Sequence, residues 1–403
     1  MLRKLIGQFF KNRHQDEYII KVTSAVSNKN VKNFSSEVEF EVKDFKLHRI
    51  EDNGPATKVS VNKDDALKFY RQMLAIRRLE SASGSMYKEK AIRGFCHLYS
   101  GQEACAVGMK AALRPGDDVI TAYRCHGWTY LMGASIAGIL CELTGHIEGV
   151  ARGKGGSMHL YAPNFYGGNG IVGAQVPLGA GLAFAQKYRG KNGVCVALYG
   201  DGAANQGQIF EVFNMTKLWN TPVIYVCENN GYGMGTSAER ASANTDYYTR
   251  GDFVPGIWVD GMDILAVREA TRYTVDYASS GKGPILMEMA TYRYSGHSMS
   301  DPGTSYRSRD EIQEVRQKRD PITSFKEKVI TAGLVTEAEI KTIDSEIKKE
   351  VDEAIKKAKS DPGINVEELT WDIYCKDDNL KLVRNVVPHT ELPHKRFNKA
   401  QNV

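Results

Sequence analysis

The sequence of 403 residues has no apolar run that approaches the roughly 20 residues a membrane-spanning helix needs. It also lacks the cysteine pattern of a disulfide framework or a zinc site, because its seven cysteines are an odd number and no two form a CxxC pair. No internal repeat or low-complexity segment is present. The remaining composition, 42% apolar and 25% charged, is that of a folded globular protein with buried free thiols in a reducing compartment.

An excess of positive charge is absent from most of the chain. The formal net charge is +5, and residues 1–33 account for all of it, with seven basic and two acidic residues. We therefore expect no nucleic-acid-binding surface. The apolar residues of this leader recur at helical spacing: Leu2, Leu5, Ile6, Phe9 and Phe10. A basic, amphipathic, acid-poor start predicts a mitochondrial transit peptide over residues 1–33, and the alternative is a basic surface helix.

The middle of the chain carries a strand, a helix and a second strand in close succession. Val194–Tyr199 and Pro222–Cys227 are strand-like apolar runs, and Gln208–Trp219 between them has the spacing of a helix. Such a βαβ unit implies parallel strands covered by helices on both faces. The sequence therefore predicts an α/β fold with a doubly wound parallel sheet.

The last quarter of the chain favours charged helices. Asp320 directly before a proline is typical of a helix start, and Thr336 with Glu339 forms a capping box ahead of a long apolar stripe. We therefore expect an α/β domain with an N-terminal arm over residues 34–319. A helical C-terminal extension and tail would follow over residues 320–403.

Two polar turns follow the two strands of the βαβ unit. Asp201 lies in a Gly-Asp-Gly turn after the first strand, and Asn230 follows the second strand. The carboxyl ends of parallel strands form the edge at which open α/β sheets bind ligands, so the two side chains can converge. Carboxylate and amide oxygens suit a magnesium ion that also holds phosphates. The glycines and the helix start that follow allow a phosphate to approach the backbone closely.

Other phosphate-binding patterns fit less well. A dinucleotide fingerprint GxGxxG would require glycine at position 205, where Asn205 stands, and no GxxxxGK[ST] loop is present. An ordinary glycine-rich turn with a surface aspartate is the structural alternative. An Asn-Asn sequence stands one helix and one strand after this turn, and this combination favours a diphosphate–metal site instead.

This pair of turns resembles the thiamine diphosphate signature, and the resemblance extends from about Asp44 to Tyr374. The further matching runs are GFCHLYSGQEA (94–104), AYR (122–124), GKGGSMH (153–159), GGNGIVGAQ (167–175) and YRYSGHSMSDPG (292–303). Together they resemble the alpha subunits of mitochondrial pyruvate dehydrogenase, and they imply its thiamine diphosphate-binding fold. Branched-chain relatives have GEG at the turn and lack the run over 167–175, so pyruvate is favoured.

The resemblance implies roles for individual residues. The implied magnesium ligands are Asp201, Asn230 and the backbone carbonyl of Tyr232. The implied diphosphate contacts are Tyr123, Arg124, Gly202, Ala203 and His297. The implied aminopyrimidine contact is the backbone of Gly170 and Val172, and Ala162 is implied to line the same pocket. His97 is implied beside the reacting carbon, so His97 and His297 are the candidate catalytic residues. Serines that match targets of a dedicated kinase in that family are Ser237, Ser298 and Ser305.

The chain carries only one of the two sheet domains that a thiamine enzyme needs. We therefore expect thiamine diphosphate and Mg²⁺ to lie between this chain and a beta subunit, in an assembly of two alpha and two beta subunits. The resemblance further implies contacts with the lipoyl domain of dihydrolipoyl acetyltransferase and with a kinase and a phosphatase. The expected reaction, in the mitochondrial matrix, is oxidative decarboxylation of pyruvate with acetyl transfer to a lipoyl group.

Two alternatives remain open at this stage. One is the alpha subunit of a branched-chain 2-oxoacid or acetoin dehydrogenase. The other is a catalytically silent scaffold subunit. Loss of Asp201, Asn230 or His297 would favour the scaffold, and all three are present.

Overall fold

The computed structural model describes residues 37–374, 380–387 and 389–396. The predicted transit peptide, residues 1–33, lies outside these residues. Among the helices described, none combines the length and the apolar character that crossing a membrane would require.

A seven-stranded sheet forms the centre of the fold. The strands of all sheets in the described residues are, in chain order, β1 (Glu37–Glu41), β2 (Lys46–His48), β3 (Lys58–Asn62), β4 (Asp118–Ala122), β5 (Phe165–Asn169), β6 (Cys195–Gly200), β7 (Val223–Asn229), β8 (Tyr232–Gly233), β9 (Thr236–Ser237), β10 (Gly256–Asp260) and β11 (Ile285–Ala290). The order in the central sheet is β2-β10-β11-β7-β6-β4-β5, with β2 antiparallel to β10 and all other neighbours parallel. The N-terminal arm adds an antiparallel ribbon of β1 and β3.

Helices cover both faces of this sheet. They are α1 (Lys63–Lys88), α2 (Glu103–Ala112), α3 (His126–Leu131), α4 (Ile136–Thr144), α5 (Gln175–Tyr188), α6 (Gly207–Trp219), α7 (Ala238–Ala241), α8 (Ile264–Tyr277), α9 (Arg309–Arg319), α10 (Pro321–Thr331) and α11 (Glu337–Ser360). Side chains of a strand alternate between faces. In β6, Ala197 and Tyr199 therefore pack with α5 and α6, whereas Val196 and Leu198 join the larger core with α1, α2 and α8. The predicted doubly wound α/β fold is confirmed.

The predicted βαβ unit corresponds to β6, α6 and β7, with ends within two residues of the expected bounds. Its two strands pair directly, so the turns after them lie side by side at one edge of the sheet. This placement is the step on which the predicted site depends.

The C-terminal helices begin where the capping signals indicated. The Asp320 carboxylate accepts hydrogen bonds from the backbone N–H groups of Ile322 and Thr323, and both halves of the Thr336–Glu339 capping box form. The apolar stripe of α11 packs against α1 and α4. Because α10 and α11 share the larger core with α1, the domain boundary at residue 320 stays a prediction.

The described part of the tail folds back on the end of the helical region. The backbone N–H of Asp372 donates to the carbonyl of Lys395 at 2.8 Å, and that of Tyr374 donates to the His394 ring at 3.2 Å. Leu382 and Pro393 form a β-bridge between its two halves. The segment is thus anchored at residues 371–374.

A single buried carboxylate organises the loop after α4. Glu142 accepts hydrogen bonds from four backbone N–H groups, at 2.7 to 3.2 Å, and none of its surface is exposed. The donors belong to Ala151, Gly153, Gly155 and Gly156. Burial raises the pKa of Glu142, and these donors oppose that shift. The loop contains part of the Gly153–His159 run that carried the family resemblance.

Replacement of this carboxylate should destabilise the loop. We expect Glu142→Gln to lower the free energy of unfolding by about 3 kcal/mol, because an amide N–H₂ group would face buried donors that then lack an acceptor. Chemical denaturation measures the loss, and limited proteolysis should show new cleavage within residues 149–156. Glu148→Gln, at an exposed neighbouring carboxylate, is the matched control. Equal stability of the two variants would contradict the role given to Glu142.

Candidate diphosphate and metal site

Two turns cross in direct backbone contact at the carboxyl edge of the sheet. A Cβ atom on Gly202 would lie 2.9 Å from the Cα of Gly233, which is closer than real Cβ atoms approach backbone. The turn after β6 therefore touches the β8–β9 hairpin that follows β7. This contact brings Asp201 beside Asn230 and Tyr232, as the strand pairing predicted.

The Asp201 carboxylate is buried without an ion pair. It is 2% exposed, and no salt bridge of the described residues includes it. Burial raises its pKa to about 6, although the backbone N–H groups of Asp201 and Asn230 and the charge of Arg293 oppose the shift. A buried carboxylate held this way gains most from a cation.

The donor set at this point fits magnesium. Asn230 Oδ1 accepts only one long hydrogen bond, from the Tyr232 backbone N–H at 3.4 Å, while its Nδ2 donates to Gln102 at 3.1 Å. A carboxylate, an amide oxygen and a backbone carbonyl are the hard oxygen ligands that Mg²⁺ accepts, with water and phosphate oxygens completing its shell. Within the described residues there is no cluster of three or more His, Cys, Asp or Glu side chains suited to a metal. A site with one carboxylate agrees with that finding.

Three aromatic rings meet beside these turns. The ring centroids of His97 and Tyr123 are 4.3 Å apart, those of His97 and His297 are 5.3 Å apart, and those of Tyr123 and His297 are 5.6 Å apart. The buried Arg124 donates through Nη1 to the Leu98 carbonyl and through Nη2 to the His297 carbonyl at 3.0 Å. Four predicted residues from three separate motifs are thus brought together.

Both histidines of this cluster are held neutral. Burial and the positive charge of Arg124 lower the pKa of His97 to about 3 and that of His297 to about 4. The Nδ1 atom of His97 is buried and has no hydrogen-bond partner. A neutral imidazole with a free nitrogen can donate to, or accept from, a ligand in this space.

The residues predicted to contact the ring of the cofactor lie around β5. Ala162 pairs with Phe165 at its start, and Gly170 and Val172 follow its end. The Val172 carbonyl accepts a hydrogen bond from Gln208 at 3.3 Å, and the Val172 side chain is 44% exposed. Their shared contact with the ring stays a prediction.

The three predicted phosphorylation sites differ in accessibility. Ser298 is buried, and its hydroxyl lies 2.7 Å from that of Ser300. Ser305 is exposed in the same loop. Ser237 is half-buried and pairs with Tyr232 in the β8–β9 hairpin.

Several buried polar residues near the site were not predicted from the sequence. Arg293 is 1% exposed, and its Nε and Nη1 atoms lack hydrogen-bond partners. Burial raises the pKa of Glu228 to about 7, and the Tyr99 hydroxyl donates to its carboxylate. Glu80 could have been found, because a charged residue at its position interrupts the apolar face of α1.

An open, mostly parallel sheet with oxygen donors and a buried guanidinium at its carboxyl edge is the arrangement with which α/β proteins bind ligands. The chain belongs to the dehydrogenase E1 component family, which matches residues 71–367. Enzymes of this family depend on thiamine diphosphate.

Named relatives are similar over most of their length. The "Probable pyruvate dehydrogenase E1 component subunit alpha, mitochondrial" of Caenorhabditis elegans is 67% identical over 87% of this chain and 88% of its own length. The type II mitochondrial alpha subunit of pyruvate dehydrogenase E1 from Ascaris suum is 65% identical over 88% of this chain and 90% of its own. The somatic mitochondrial alpha subunit from Homo sapiens is 60% identical over 86% of this chain and 88% of its own.

The buried Asp201 should make metal affinity depend on pH. Because its pKa is raised to about 6, a proton and the metal compete for the carboxylate below that pH. We expect the apparent Mg²⁺ affinity to rise about tenfold per pH unit up to about pH 6 and then to level off. Without metal, the raised pKa means that this group's contribution to stability is lost as pH rises from about 4 through about 6.

Isothermal titration calorimetry of the assembled enzyme with Mg²⁺, at constant thiamine diphosphate, measures this dependence. Asp201→Asn is the control. Its amide does not titrate, so any pH dependence that the variant keeps comes from the diphosphate. If the Mg²⁺ affinities of the wild type and the variant changed in parallel with pH, Asp201 would not be a ligand of the metal.

Proposed function

We propose that this chain acts as the alpha subunit of a mitochondrial pyruvate dehydrogenase that decarboxylates pyruvate oxidatively and passes the acetyl unit to a lipoyl group. The observation that carries the proposal is the crossing of the Gly202 and Gly233 turns, which brings Asp201 to Asn230 in a chain of the E1 family. Identities of 59–67% to mitochondrial pyruvate dehydrogenase E1 alpha subunits support pyruvate as the substrate and the mitochondrion as the location.

In this proposal the chain binds the charged end of the cofactor. Asp201, Asn230 and the Tyr232 carbonyl hold Mg²⁺, while Arg124 and the backbone at Gly202 and Ala203 face the diphosphate. Arg124 suits this task because its forked donors match a phosphate and a buried charge interacts strongly. Thiamine diphosphate, when bound, supplies the electron sink for decarboxylation.

The two histidines contribute polarity without charge. With their pKa values lowered to about 3 and about 4, His97 and His297 remain neutral at physiological pH. His97 can therefore donate the N–H of one ring nitrogen to a carbonyl or carboxylate oxygen of the substrate, while its other ring nitrogen remains an acceptor. A charged imidazole would instead repel Arg124, so the neutral state of the histidines also favours the charged form of the Arg124 guanidinium.

The proposed partners follow from the one large sheet that the described residues form. An E1 alpha subunit implies a beta subunit, and we propose that it completes the cofactor site in an assembly of two alpha and two beta chains. The lipoyl domain of dihydrolipoyl acetyltransferase, a kinase and a phosphatase are the further proposed partners. A branched-chain 2-oxoacid or acetoin dehydrogenase alpha subunit remains the alternative activity.

The substrate proposal has a direct test. The chain co-expressed with its beta subunit should release carbon dioxide from pyruvate at least about tenfold faster, by kcat/KM, than from 3-methyl-2-oxobutanoate. Asp201→Asn should abolish the activity, whereas Asp276→Asn, at an exposed position, should leave it unchanged. A preference for the branched substrate would favour the alternative, and activity of the isolated chain would exclude a shared site.

Phosphorylation of Ser298 should switch the enzyme off. A phosphate adds about −1.5 to −2 charge, and the backbone N–H of Asp301 already donates to the Ser298 carbonyl at 3.0 Å. Since Ser298 is buried, the loop must open for modification. Repulsion from Asp301 and from the anionic cofactor should then keep it disordered and block the lipoyl arm.

Activity and limited proteolysis of the stoichiometrically phosphorylated assembly measure this effect. Ser298→Ala should stay active and resist inhibition by phosphorylation at this site. Ser298→Glu should reproduce that inhibition in part. Full activity with unchanged cleavage between residues 293 and 307 would contradict the mechanism.

A further inference from the structure

Three polar side chains form a continuous hydrogen-bonded line beneath the histidine cluster. The Glu80 carboxylate lies 2.8 Å from Nδ1 of His126, and Nε2 of His126 lies 2.8 Å from the Ser157 hydroxyl. Glu80 and His126 have no exposed surface, and Ser157 is 5% exposed. Because a carboxylate oxygen accepts, Nδ1 donates to Glu80, and Nε2 is left to pair with Ser157.

We propose that Glu80, His126 and Ser157 form a positioning relay that holds His97 and Arg124 in place for the cofactor and substrate. The inference rests on the proposed function, because it gives these residues a task in the same site. None of the three is proposed to contact the ligand.

The Glu80 end of the relay holds the backbone next to His97. Its second oxygen accepts a hydrogen bond from the Tyr99 backbone N–H at 2.9 Å. Tyr99 is two residues after His97, and the carbonyl of Leu98 between them accepts a hydrogen bond from Arg124. Glu80 therefore fixes the peptide on which Arg124 rests.

The His126 part of the relay acts on Arg124 through the chain itself. His126 begins α3 two residues after Arg124, so its ring anchors the segment that carries the guanidinium. The Glu80 charge also lies close enough to oppose the burial-driven lowering of the pKa of Arg124. Glu80 thus fixes the geometry around Arg124. After Tyr123 and together with Glu228, it also favours the charged form of that residue.

The Ser157 end connects the relay to the loop held by Glu142. Nε2 of His126 also lies 3.1 Å from the Ser157 backbone carbonyl. The relay therefore ties together helix α1, the start of α3 and a loop of the Gly153–His159 run. Apolar residues would fill this space at a lower desolvation cost, so the buried polar line is expected to serve a purpose other than stability.

Two variants at His126 separate the ends of the relay. His126→Asn places an amide nitrogen near the position of Nδ1 and keeps a donor for Glu80. His126→Gln reaches toward Ser157 and loses the Glu80 contact. In the enzyme co-expressed with its beta subunit, we expect His126→Gln to raise the Kd of thiamine diphosphate about tenfold or more. We expect His126→Asn to stay within about threefold of the wild type.

A second pair controls for loss of stability alone. Ser157→Ala removes the hydroxyl of the relay, and Thr271→Val removes an equally buried hydroxyl on α8, whose partner is the Val267 carbonyl. Both should lower the melting temperature. Only Ser157→Ala should raise the thiamine diphosphate Kd, measured by calorimetry at saturating Mg²⁺, and the KM for pyruvate.

The outcomes distinguish the relay from the proposed function. If the wild-type enzyme binds thiamine diphosphate and decarboxylates pyruvate, but the Kd values of His126→Gln and Ser157→Ala stay within twofold of it, the relay is only structural. If His126→Asn and His126→Gln weaken binding equally, the Glu80 end has no special role and the proposal fails. If the wild type does not bind thiamine diphosphate, the proposed function itself fails.

Discussion

The site depends on one backbone contact, the crossing of the Gly202 turn with the Gly233 hairpin. Only glycine at both positions permits this approach, because a Cβ atom at either would lie within about 3 Å of the opposite Cα. The contact places Asn230 and Tyr232 beside Asp201, which is 2% exposed. The raised pKa of Asp201 follows from this burial, and a divalent cation bound here would offset it.

The site combines buried positive and buried acidic side chains. Arg124 and Arg293 supply positive charge where an anionic ligand is expected, while Glu80 and Glu228 lie behind them as buried carboxylates. The histidines between them are neutral. In this low-dielectric region each charge acts strongly, so a change of one group alters the protonation of its neighbours.

The serine-bearing loop is joined to the ligand-binding segments by backbone hydrogen bonds. The N–H of Tyr294 donates to the Ser100 carbonyl at 3.0 Å, and that of Met299 donates to the Cys96 carbonyl at 2.8 Å. Arg124 adds a side-chain contact to the His297 carbonyl. Through these two backbone hydrogen bonds, a change in the loop can affect the residues around His97.

Local patterns in the sequence determined the βαβ unit, the capped C-terminal helices and the pair Asp201 and Asn230, because strand alternation, capping and turn chemistry act over a few neighbouring residues. His97, Tyr123 and His297 were identified by family resemblance, not by periodicity. Their meeting around Arg124, the depression of both histidine pKa values and the Glu80–His126–Ser157 line were decided by the tertiary structure alone. Burial and Coulomb interactions depend on distances between segments that lie up to about two hundred residues apart in the chain, and packing of the whole sheet and its helices sets those distances.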